Sequence, residues 1–200
     1  MRQKRIKEAT YDNLIALSVL TRPVPIDFED KEIFMELGSG KGLFITSMAK
    51  DFPDKMFIAV EKEINVCFRL AQRRQLLELK NLIIIMDDAA HIKEYLGEIK
   101  VKTLQLNFSD PWPKTKHHKR RLTYPPMLTL YKDLIAEDGL FIFRTDHEAL
   151  FNDTLDYLKE ANYQIISIDR NLKESKYMTE YEIKKRLIGP IYQVEGVPSR

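Results

Sequence analysis

Apolar residues in the first half of the chain form short continuous runs, separated by stretches in which they recur at helical spacing. The runs at residues 33–37, which only Glu36 interrupts, 56–60 and 82–86 predict three strands. The stretches at 43–50 and 64–79 predict the helices between them. Uninterrupted apolar runs are typical of parallel strands that helices cover on both faces of a sheet.

The second half continues this alternation. Four further strands are predicted, at residues 103–107, 140–144, 163–168 and 191–194. The predicted helices are one that begins at Pro125-Pro126 and ends near Gly139, one over 150–161 and one over 179–187. Strands that alternate with helices at this spacing favour βαβ units and a doubly wound, mainly parallel sheet.

Before the first strand lies a basic leader, residues 1–30, which contains a short amphipathic segment that ends at Pro23 and Pro25. The apolar positions of this segment predict a short helix: Leu14, Ile15, Leu17, Val19 and Leu20. No linker or repeat divides the remainder of the chain. We therefore expect residues 1–30 to be an arm and residues 31–200 to form a single domain.

Composition limits the classes of protein that this fold could represent. Hydrophobic residues make up 44% and charged residues 31% of the 200 positions, as in folded globular proteins. No apolar run approaches the roughly 18 residues of a membrane span. The leader lacks the apolar core of a signal peptide, and Cys67 is the only cysteine. We expect a cytoplasmic protein without membrane association. Its net charge is only +2, so an anionic partner must be recognised by a local cluster.

The first predicted strand leads into a glycine turn, residues 38–42, with Glu36 before it. A phosphate-binding P-loop is excluded, because it would need glycine in place of Met35 and serine or threonine in place of Gly42. The dinucleotide fingerprint is excluded by Leu43, where its third glycine would stand. A carboxylate before the turn repels phosphate and accepts hydrogen bonds from an ammonium. The pattern therefore favours a cofactor with a cationic head and no pyrophosphate.

Two further acids follow the next two strands. Glu61 stands where an acidic residue binds a ribose diol in nucleotide-binding folds, and Asp88 is placed to meet an adenine ring. Each also has an ordinary structural explanation, Glu61 as a solvated acid at a helix start and Asp88 as an N-cap. Three acids after three successive strands together favour S-adenosylmethionine.

The most distinctive stretch is residues 104–121. A predicted buried strand ends there at a corner, residues 110–113, where Pro111 and Pro113 fix the backbone and remove ladder hydrogen bonds. Open α/β sheets bind ligands at the carboxyl ends of their strands. Trp112 could stack on a base or cover the core, and Asp110 could be a turn aspartate before proline.

A basic run, residues 114–121, follows the corner without any acidic residue. Its basic members are Lys114, Lys116, His117, His118, Lys119, Arg120 and Arg121. Such runs are often solvated faces, but an acid-free run beside an acid–aromatic corner favours phosphate binding and chemistry on a nucleic-acid base. The histidines lack metal-ligand spacing, so we expect no metal.

The motifs E-L-G-S-G-K-G, V-E, D-D-A, N-F-S-D-P-W-P-K, R-T-D and M-T-E-Y-E resemble those of the bacterial tRNA (guanine-N7-)-methyltransferases. The similarity runs from about residue 33 to residue 194, and S-D-P-W-P-K is far more selective than the glycine turn. It implies an α/β fold, the Rossmann-like class I methyltransferase: a mainly parallel seven-stranded sheet with helices on both faces and an antiparallel last strand. It does not extend to the leader, which stays open between a packing arm and an RNA-touching tail.

The resemblance also implies site residues. Those for the cofactor S-adenosyl-L-methionine are Glu36, Gly38, Gly40, Glu61, Asp88 and Asp110. Those for the substrate guanine are Lys114, Asp146, Thr179, Glu180, Tyr181 and Glu182. Those for the tRNA backbone are Lys116, His117, His118, Lys119, Arg120 and Arg121. From the residues alone, Asp146 could instead N-cap the next helix, and Thr179 with Glu182 matches a capping box.

The implied reaction moves a methyl group from the sulfonium to N7 of a guanine in the tRNA variable loop. N7 carries a lone pair and no proton, so alignment, which can supply roughly 7–11 kcal/mol, would replace a general base. Asp110 is the expected catalytic residue, in contact with guanine or cofactor. One alternative is a methyltransferase for small molecules or proteins, which would not need the basic run. Another is a non-catalytic RNA-binding subunit, against which the intact acids argue. A monomer and a homodimer are both compatible with the sequence.

Overall fold

The computed structural model describes residues 5–28 and 31–199. The chain divides into two compact units, Met1–Gly97 and Glu98–Arg200. Together the units supply the seven strands of one mixed sheet. No helix in the described part of the chain has the length and the apolar character needed to cross a membrane. The division into an arm and a single domain stays a prediction.

The first unit is built on three parallel strands in the order β3-β2-β1. Its elements, in chain order, are α1 (Tyr11–Ala16), β1 (Ile33–Leu37), α2 (Leu43–Asp51), β2 (Met56–Val60), α3 (Ile64–Leu76), β3 (Leu82–Ile85), a 3-10 turn (Ala89–His91) and α4 (Ile92–Leu96). Leu37 pairs with Val60 and Val60 pairs with Ile85, so the carboxyl ends of the three strands are level. Every residue of β2 is buried, as expected for a central parallel strand.

The leader packs along the first unit. Helix α1 buries Leu14 and ends at Ala16, earlier than the pattern predicts, because Ser18 adopts a left-handed φ of 54°. Leu20 then extends the sheet by a parallel bridge to Ile85. The guanidinium of Arg74 in α3 donates to the Ser18 carbonyl at 3.3 Å. In residues 5–28, therefore, the leader packs against β3 and α3.

The second unit carries the four remaining strands in the order β4-β5-β7-β6. Its elements are β4 (Val101–Asn107), a 3-10 helix (Thr115–Arg120), α5 (Pro125–Leu134), β5 (Ile135–Thr145), α6 (Glu148–Glu160), β6 (Tyr163–Asp169), α7 (Glu180–Lys185) and β7 (Tyr192–Pro198). Strands β4 and β5 are parallel, whereas β7 is antiparallel to both β5 and β6. The predicted antiparallel last strand is confirmed.

One boundary differs from the sequence pattern. Helix α5 ends at Leu134 rather than near Gly139, because the β-branched Ile135 already pairs with Val101 of β4. The register between β4 and β5 then shifts, which leaves a bulge before the next pairs form. A Cβ atom at Gly139 would lie 2.6 Å from Cγ2 of Ile135, so this bulge has room only for glycine.

Candidate functional site

The glycine turn is fixed to the neighbouring strand by main-chain hydrogen bonds. The N–H groups of Gly38 and Ser39 donate to the Val60 carbonyl at 2.8 and 3.0 Å. Gly42 has a φ of 81°, which strains any other residue, and a Cβ there would also overlap Cδ1 of Leu70 in α3. Gly40, at φ 58°, has no described atom within 4 Å of the Cβ position. The turn therefore offers bare backbone for close approach by a ligand.

Two of the predicted cofactor acids flank this turn. Glu36, the fourth residue of β1, is buried, with an exposed fraction of 1%. The carboxylate of Glu61, just after β2, accepts hydrogen bonds from the N–H groups of Gly40 and Glu63, both at 2.9 Å. Burial raises the pKa of Glu61, and these backbone bonds only partly offset the rise. Because each carboxylate oxygen can accept more than one hydrogen bond, Glu61 can hold the turn and still accept two ribose hydroxyls.

Asp88, the third predicted cofactor acid, caps the 3-10 turn after β3. Its Oδ1 accepts from the N–H of Ala90 at 3.1 Å, and its Oδ2 lies 3.3 Å from Nζ of Lys62 in an exposed ion pair. The structural explanation for Asp88 as an N-cap is therefore correct, and its contact with adenine stays a prediction. A capping carboxylate retains further lone pairs, so the two roles are compatible.

Sequence reasoning missed the cluster that holds Asp88. Oδ1 of Asp87 accepts from the Asp88 N–H at 2.7 Å and lies 2.8 Å from Nδ1 of His91, while Oδ2 accepts from the Tyr95 hydroxyl at 2.8 Å. Burial alone would raise the pKa of Asp87, but the bonds from His91 and Tyr95 outweigh it and lower that pKa. The same contact raises the pKa of His91. The spacing of residues 87, 91 and 95, four apart on a helical face, is the signal that could have revealed the cluster.

In the corner of the second unit, the carboxylate of Asp110 is exposed and the indole of Trp112 is partly buried. Asp110 is exposed, and no described residue donates a hydrogen bond to it. Trp112 is half-buried, at an unusual φ of 38°. The guanidinium of Arg120 lies 5.0 Å from the centroid of the Trp112 ring, and the His117 ring meets its edge at 5.8 Å. Trp112 thus stacks on the basic run rather than filling the core.

The basic run forms the 3-10 helix and divides by exposure. The side chains of Lys114, Lys116, Lys119 and Arg120 are exposed, those of His117 and His118 are half-buried, and that of Arg121 has an exposed fraction of 2%. Exposed cations without neighbouring acids suit contact with phosphates. The side chain of Arg121 instead points into the protein, and the sequence of the basic run gives no sign of this difference in burial.

Asp146 follows β5 and contacts α7. Its Oδ2 lies 2.9 Å from Nζ of Lys185 and 3.5 Å from the hydroxyl of Tyr181. The hydrogen bond to Asp146 raises the pKa of Lys185 above its usual range. The N-cap of α6 is His147, whose Nδ1 accepts from the Leu150 N–H at 3.2 Å. The explanation of Asp146 as an N-cap is therefore wrong, and its carboxylate stays available for another role.

The predicted substrate segment 179–182 begins α7 and ends in the interior. The Thr179 hydroxyl accepts from the Glu182 N–H at 2.9 Å, which is half of the expected capping box. The Glu182 side chain, with an exposed fraction of 0%, instead accepts from Arg144 at 2.8 Å and from Nη2 of Arg186 at 2.6 Å. Glu180 and Tyr181 lie nearer the surface. Sequence reasoning missed both arginines, although Glu182 and Arg186 have the i,i+4 spacing of helical ion pairs.

The two units each gather a subset of the predicted residues. In the first unit Glu36, Gly38, Gly40, Glu61 and Asp88 follow the level ends of β1, β2 and β3. In the second unit Asp110 and Asp146 follow the paired ends of β4 and β5. Among the described residues, no group of three or more His, Cys, Asp and Glu side chains is arranged to hold a metal ion.

Comparison with known sequences identifies relatives over most of the chain. A family model described as "Putative methyltransferase" matches residues 30–193. A tRNA (guanine-N(7)-)-methyltransferase of Staphylococcus haemolyticus is 39% identical over 84% of this chain and 81% of its own length. Proteins of the same name are 40% identical in Brevibacillus brevis, over 82% and 79%, and 39% identical in Lactobacillus delbrueckii, over 88% of both chains.

Comparison with solved structures supports the fold. A 16S rRNA methyltransferase, KamB, superposes with a TM-score of 0.65 at 12% identity and covers 98% of this chain and 97% of its own. An antibiotic-related methyltransferase gives a TM-score of 0.64 at 14% identity, over 98% and 95%. With the sheet described above, these similarities confirm the predicted class I methyltransferase fold.

Proposed function

This chain belongs to the tRNA (guanine-N(7)-)-methyltransferase family, and on that premise we propose that it methylates N7 of a guanine in the variable loop of tRNA. The chain is an enzyme of the tRNA (guanine-N(7)-)-methyltransferase type, and its family and fold imply the use of S-adenosyl-L-methionine. We place the reaction in the cytoplasm. The relatives' name supplies tRNA as substrate, and the resemblance of the motifs supplies the variable loop.

The observation that carries the proposal is the turn in the first unit. Glu61 accepts a hydrogen bond from the Gly40 N–H at 2.9 Å, and no described atom lies within 4 Å of the Cβ position at Gly40. This arrangement fits S-adenosyl-L-methionine in three respects. Glu61 can accept the ribose hydroxyls, Glu36 can accept from the cofactor's ammonium, and the bare backbone of the turn admits close approach. Asp88, held by Asp87, can accept from the adenine amino group.

When bound, the cofactor supplies a methyl group on a positively charged sulfur. The protein's task is then to hold the guanine with its N7 lone pair in line with that methyl carbon. Asp110 is the proposed catalytic residue, because its exposed carboxylate can accept guanine N–H groups or stabilise the cofactor's charge. No general base is needed, since N7 loses no proton.

Asp146 is proposed to hold the same guanine. Both Lys185 and Tyr181 contact its Oδ2, and no described residue donates to its Oδ1. One oxygen is thereby fixed while the other can accept a guanine N–H. Lys114 is exposed at the start of the basic run, where it can neutralise the phosphate of the target nucleotide.

The tRNA backbone is proposed to lie along the exposed members of the basic run. Lys116, Lys119 and Arg120 present charge to solvent with no acidic residue between them. Binding of this kind releases condensed counterions, so tRNA affinity is expected to fall steeply as salt concentration rises. Net charge of only +2 makes this local run, and not the whole surface, the source of that dependence.

The test is methylation of bulk unmodified tRNA with labelled S-adenosyl-L-methionine, followed by cleavage at N7-methylguanine to map the product. A single modified guanine in the variable loop is the expected result. Calorimetric titration with the cofactor alone separates the steps. Cofactor binding with label on a protein or small molecule would overturn the choice of substrate, and a lack of cofactor binding would overturn the whole proposal.

A further inference from the structure

One cation of the basic run is used inside the protein. Nε of Arg121 donates to the Pro111 carbonyl at 2.8 Å, and its Nη1 donates to Oδ2 of Asp153 in α6 at 2.6 Å. Its Nη2 lies 2.8 Å from Nε2 of His118. The hydroxyl of Tyr157, one turn further along α6, lies 3.3 Å from Nη1. All three nitrogens of the buried guanidinium therefore have protein partners, as a buried charge requires.

The bond to Pro111 acts at the strained point of the corner. The Pro111 carbonyl is part of the peptide group between Pro111 and Trp112. A hydrogen bond to this oxygen fixes the orientation of that peptide, and the φ angle of Trp112 is defined relative to it. That φ is 38°, in the left-handed region that bulky side chains rarely adopt. Such a conformation persists only where the surrounding structure holds it. Arg121 is the side chain that contacts this peptide, and Asp153 anchors Arg121 in turn.

We propose that Arg121 is a positioning residue, which holds the corner so that Asp110 and Trp112 keep their geometry, and that it does not bind tRNA phosphate. This inference rests on the proposed function, because it assumes that Asp110 acts on the guanine or the cofactor. It divides the basic run by role. Lys116 and Lys119 face the polyanion, whereas Arg121, together with His118, links the corner to α6.

The charge of the site supports this division. A phosphate that approached Arg121 would meet the carboxylate of Asp153, which is 41% exposed, and would have to displace an existing charge-assisted bond. Lys119 has no such competitor, since the run contains no acid. Coulomb attraction to RNA is therefore stronger at the exposed lysines than at Arg121.

The experiment compares two pairs of variants in the full chain. Arg121→Met is matched with Lys119→Met, its exposed neighbour in the run. Asp153→Ala is matched with Asp156→Ala, an exposed acid on the same helix. Asp153→Ala is informative because it removes the anchor and leaves the cation. Asp153 is 41% exposed, so water can reach the Arg121 guanidinium once the carboxylate is removed. Trp112 is the only tryptophan of the chain, so its fluorescence and its quenching by acrylamide report on the corner directly.

We expect Arg121→Met and Asp153→Ala to shift the Trp112 emission and to increase its quenching. Both should lower kcat by about 10- to 100-fold, as a catalytic group misplaced by about 1 Å does. The KM for tRNA and its salt slope should stay unchanged. Lys119→Met should instead reduce the salt slope by about 0.7–0.9 and leave the fluorescence unchanged. Asp156→Ala should change none of these quantities.

The contrary result is equally distinct. If Arg121 binds phosphate, Asp153→Ala frees that cation, so tRNA binding tightens while kcat and Trp112 fluorescence stay as in the unsubstituted protein. That outcome, or a reduced salt slope in Arg121→Met with unchanged fluorescence, would overturn the inference. A protein that fails to methylate tRNA before any substitution would refute the proposed function instead, and the fluorescence would still test the position of the corner.

Discussion

The glycine turn after β1 and the corner after β4 are both expected to serve the reaction, yet they are held by different means. The turn is fixed by main-chain bonds from Gly38 and Ser39 to Val60 and by glycines in left-handed conformations. The corner is fixed by a side chain, Arg121, that is anchored on α6. The turn should keep its shape when a side chain that only contacts ligand is replaced. The corner depends on the buried charge of Arg121, so its loss should change the geometry of the corner.

The same contrast separates the acids of the two units. Glu61 is held by backbone N–H groups of the turn that it serves. Glu182 is held by two arginines, Arg144 from β5 and Arg186 directly after α7. Removing Glu61 should therefore affect ligand binding, whereas removing Glu182 should affect the unit itself. Four substitutions test this difference between the two units.

Asp110→Ala should abolish methylation of tRNA without changing the thermal unfolding midpoint, because its carboxylate is exposed and supports no described neighbour. Initial rates with saturating tRNA and cofactor measure the loss. Calorimetry with S-adenosyl-L-methionine then distinguishes the two contacts: unchanged affinity assigns Asp110 to the guanine, and weakened affinity assigns it to the cofactor. Substantial remaining activity would remove Asp110 from the site.

Glu182→Ala should destabilise the protein by about 3–5 kcal/mol, because it leaves the buried Arg144 and the largely buried Arg186 without their carboxylate. Denaturant unfolding followed by circular dichroism measures this change. The control is Glu160→Ala, an exposed glutamate at the end of α6, which should cost far less. Equal stability of the two variants would show that the buried network contributes little.

Glu61→Gln should weaken cofactor binding by roughly 1.5–3 kcal/mol, the range for a hydrogen bond to a charged group. It should lower stability less than Glu182→Ala does, since only one backbone N–H of the turn loses its acceptor. The pKa of Glu61 is raised above its ordinary value of 4.5, and binding is expected to favour its charged form. Affinity should thus fall on acidification at a higher pH than for an ordinary glutamate. Titrations across pH should show this fall in the unsubstituted protein and a smaller fall in Glu61→Gln, in which only the other carboxylates of the site titrate.

Lys116→Ala with Lys119→Ala should lower tRNA affinity modestly and reduce its salt slope by about 1.4–1.8, the value for two lost phosphate contacts. Filter binding at several salt concentrations gives the slope. Replacement of Lys159 and Lys184, exposed lysines outside the run, provides the control. An unchanged slope for the first pair would separate the basic run from RNA binding.

Much of the fold was accessible from local pattern. The runs at 33–37 and 56–60 are strands β1 and β2 with the predicted bounds, because buried parallel strands have mostly apolar sequences; Glu36 is the exception in β1. The glycine turn was accessible for a similar reason, since left-handed backbone at Gly40 and Gly42 restricts the residue type. The end of α5 was not, because the pairing of Ile135 with Val101 overrode helical spacing.

The chemical groups that follow each strand could be read from the order of residues: three acids, a proline-rich corner and a run of cations. Which of these groups face outward depends on how the chain folds. Arg121 meets Asp153 across 32 positions of sequence, and Arg144 meets Glu182 across 38. Burial depends on such distant partners, and a local pattern cannot tell a cation that faces solvent from one that is held inside. The cations of the basic run therefore look alike in sequence, although their environments in the folded chain differ.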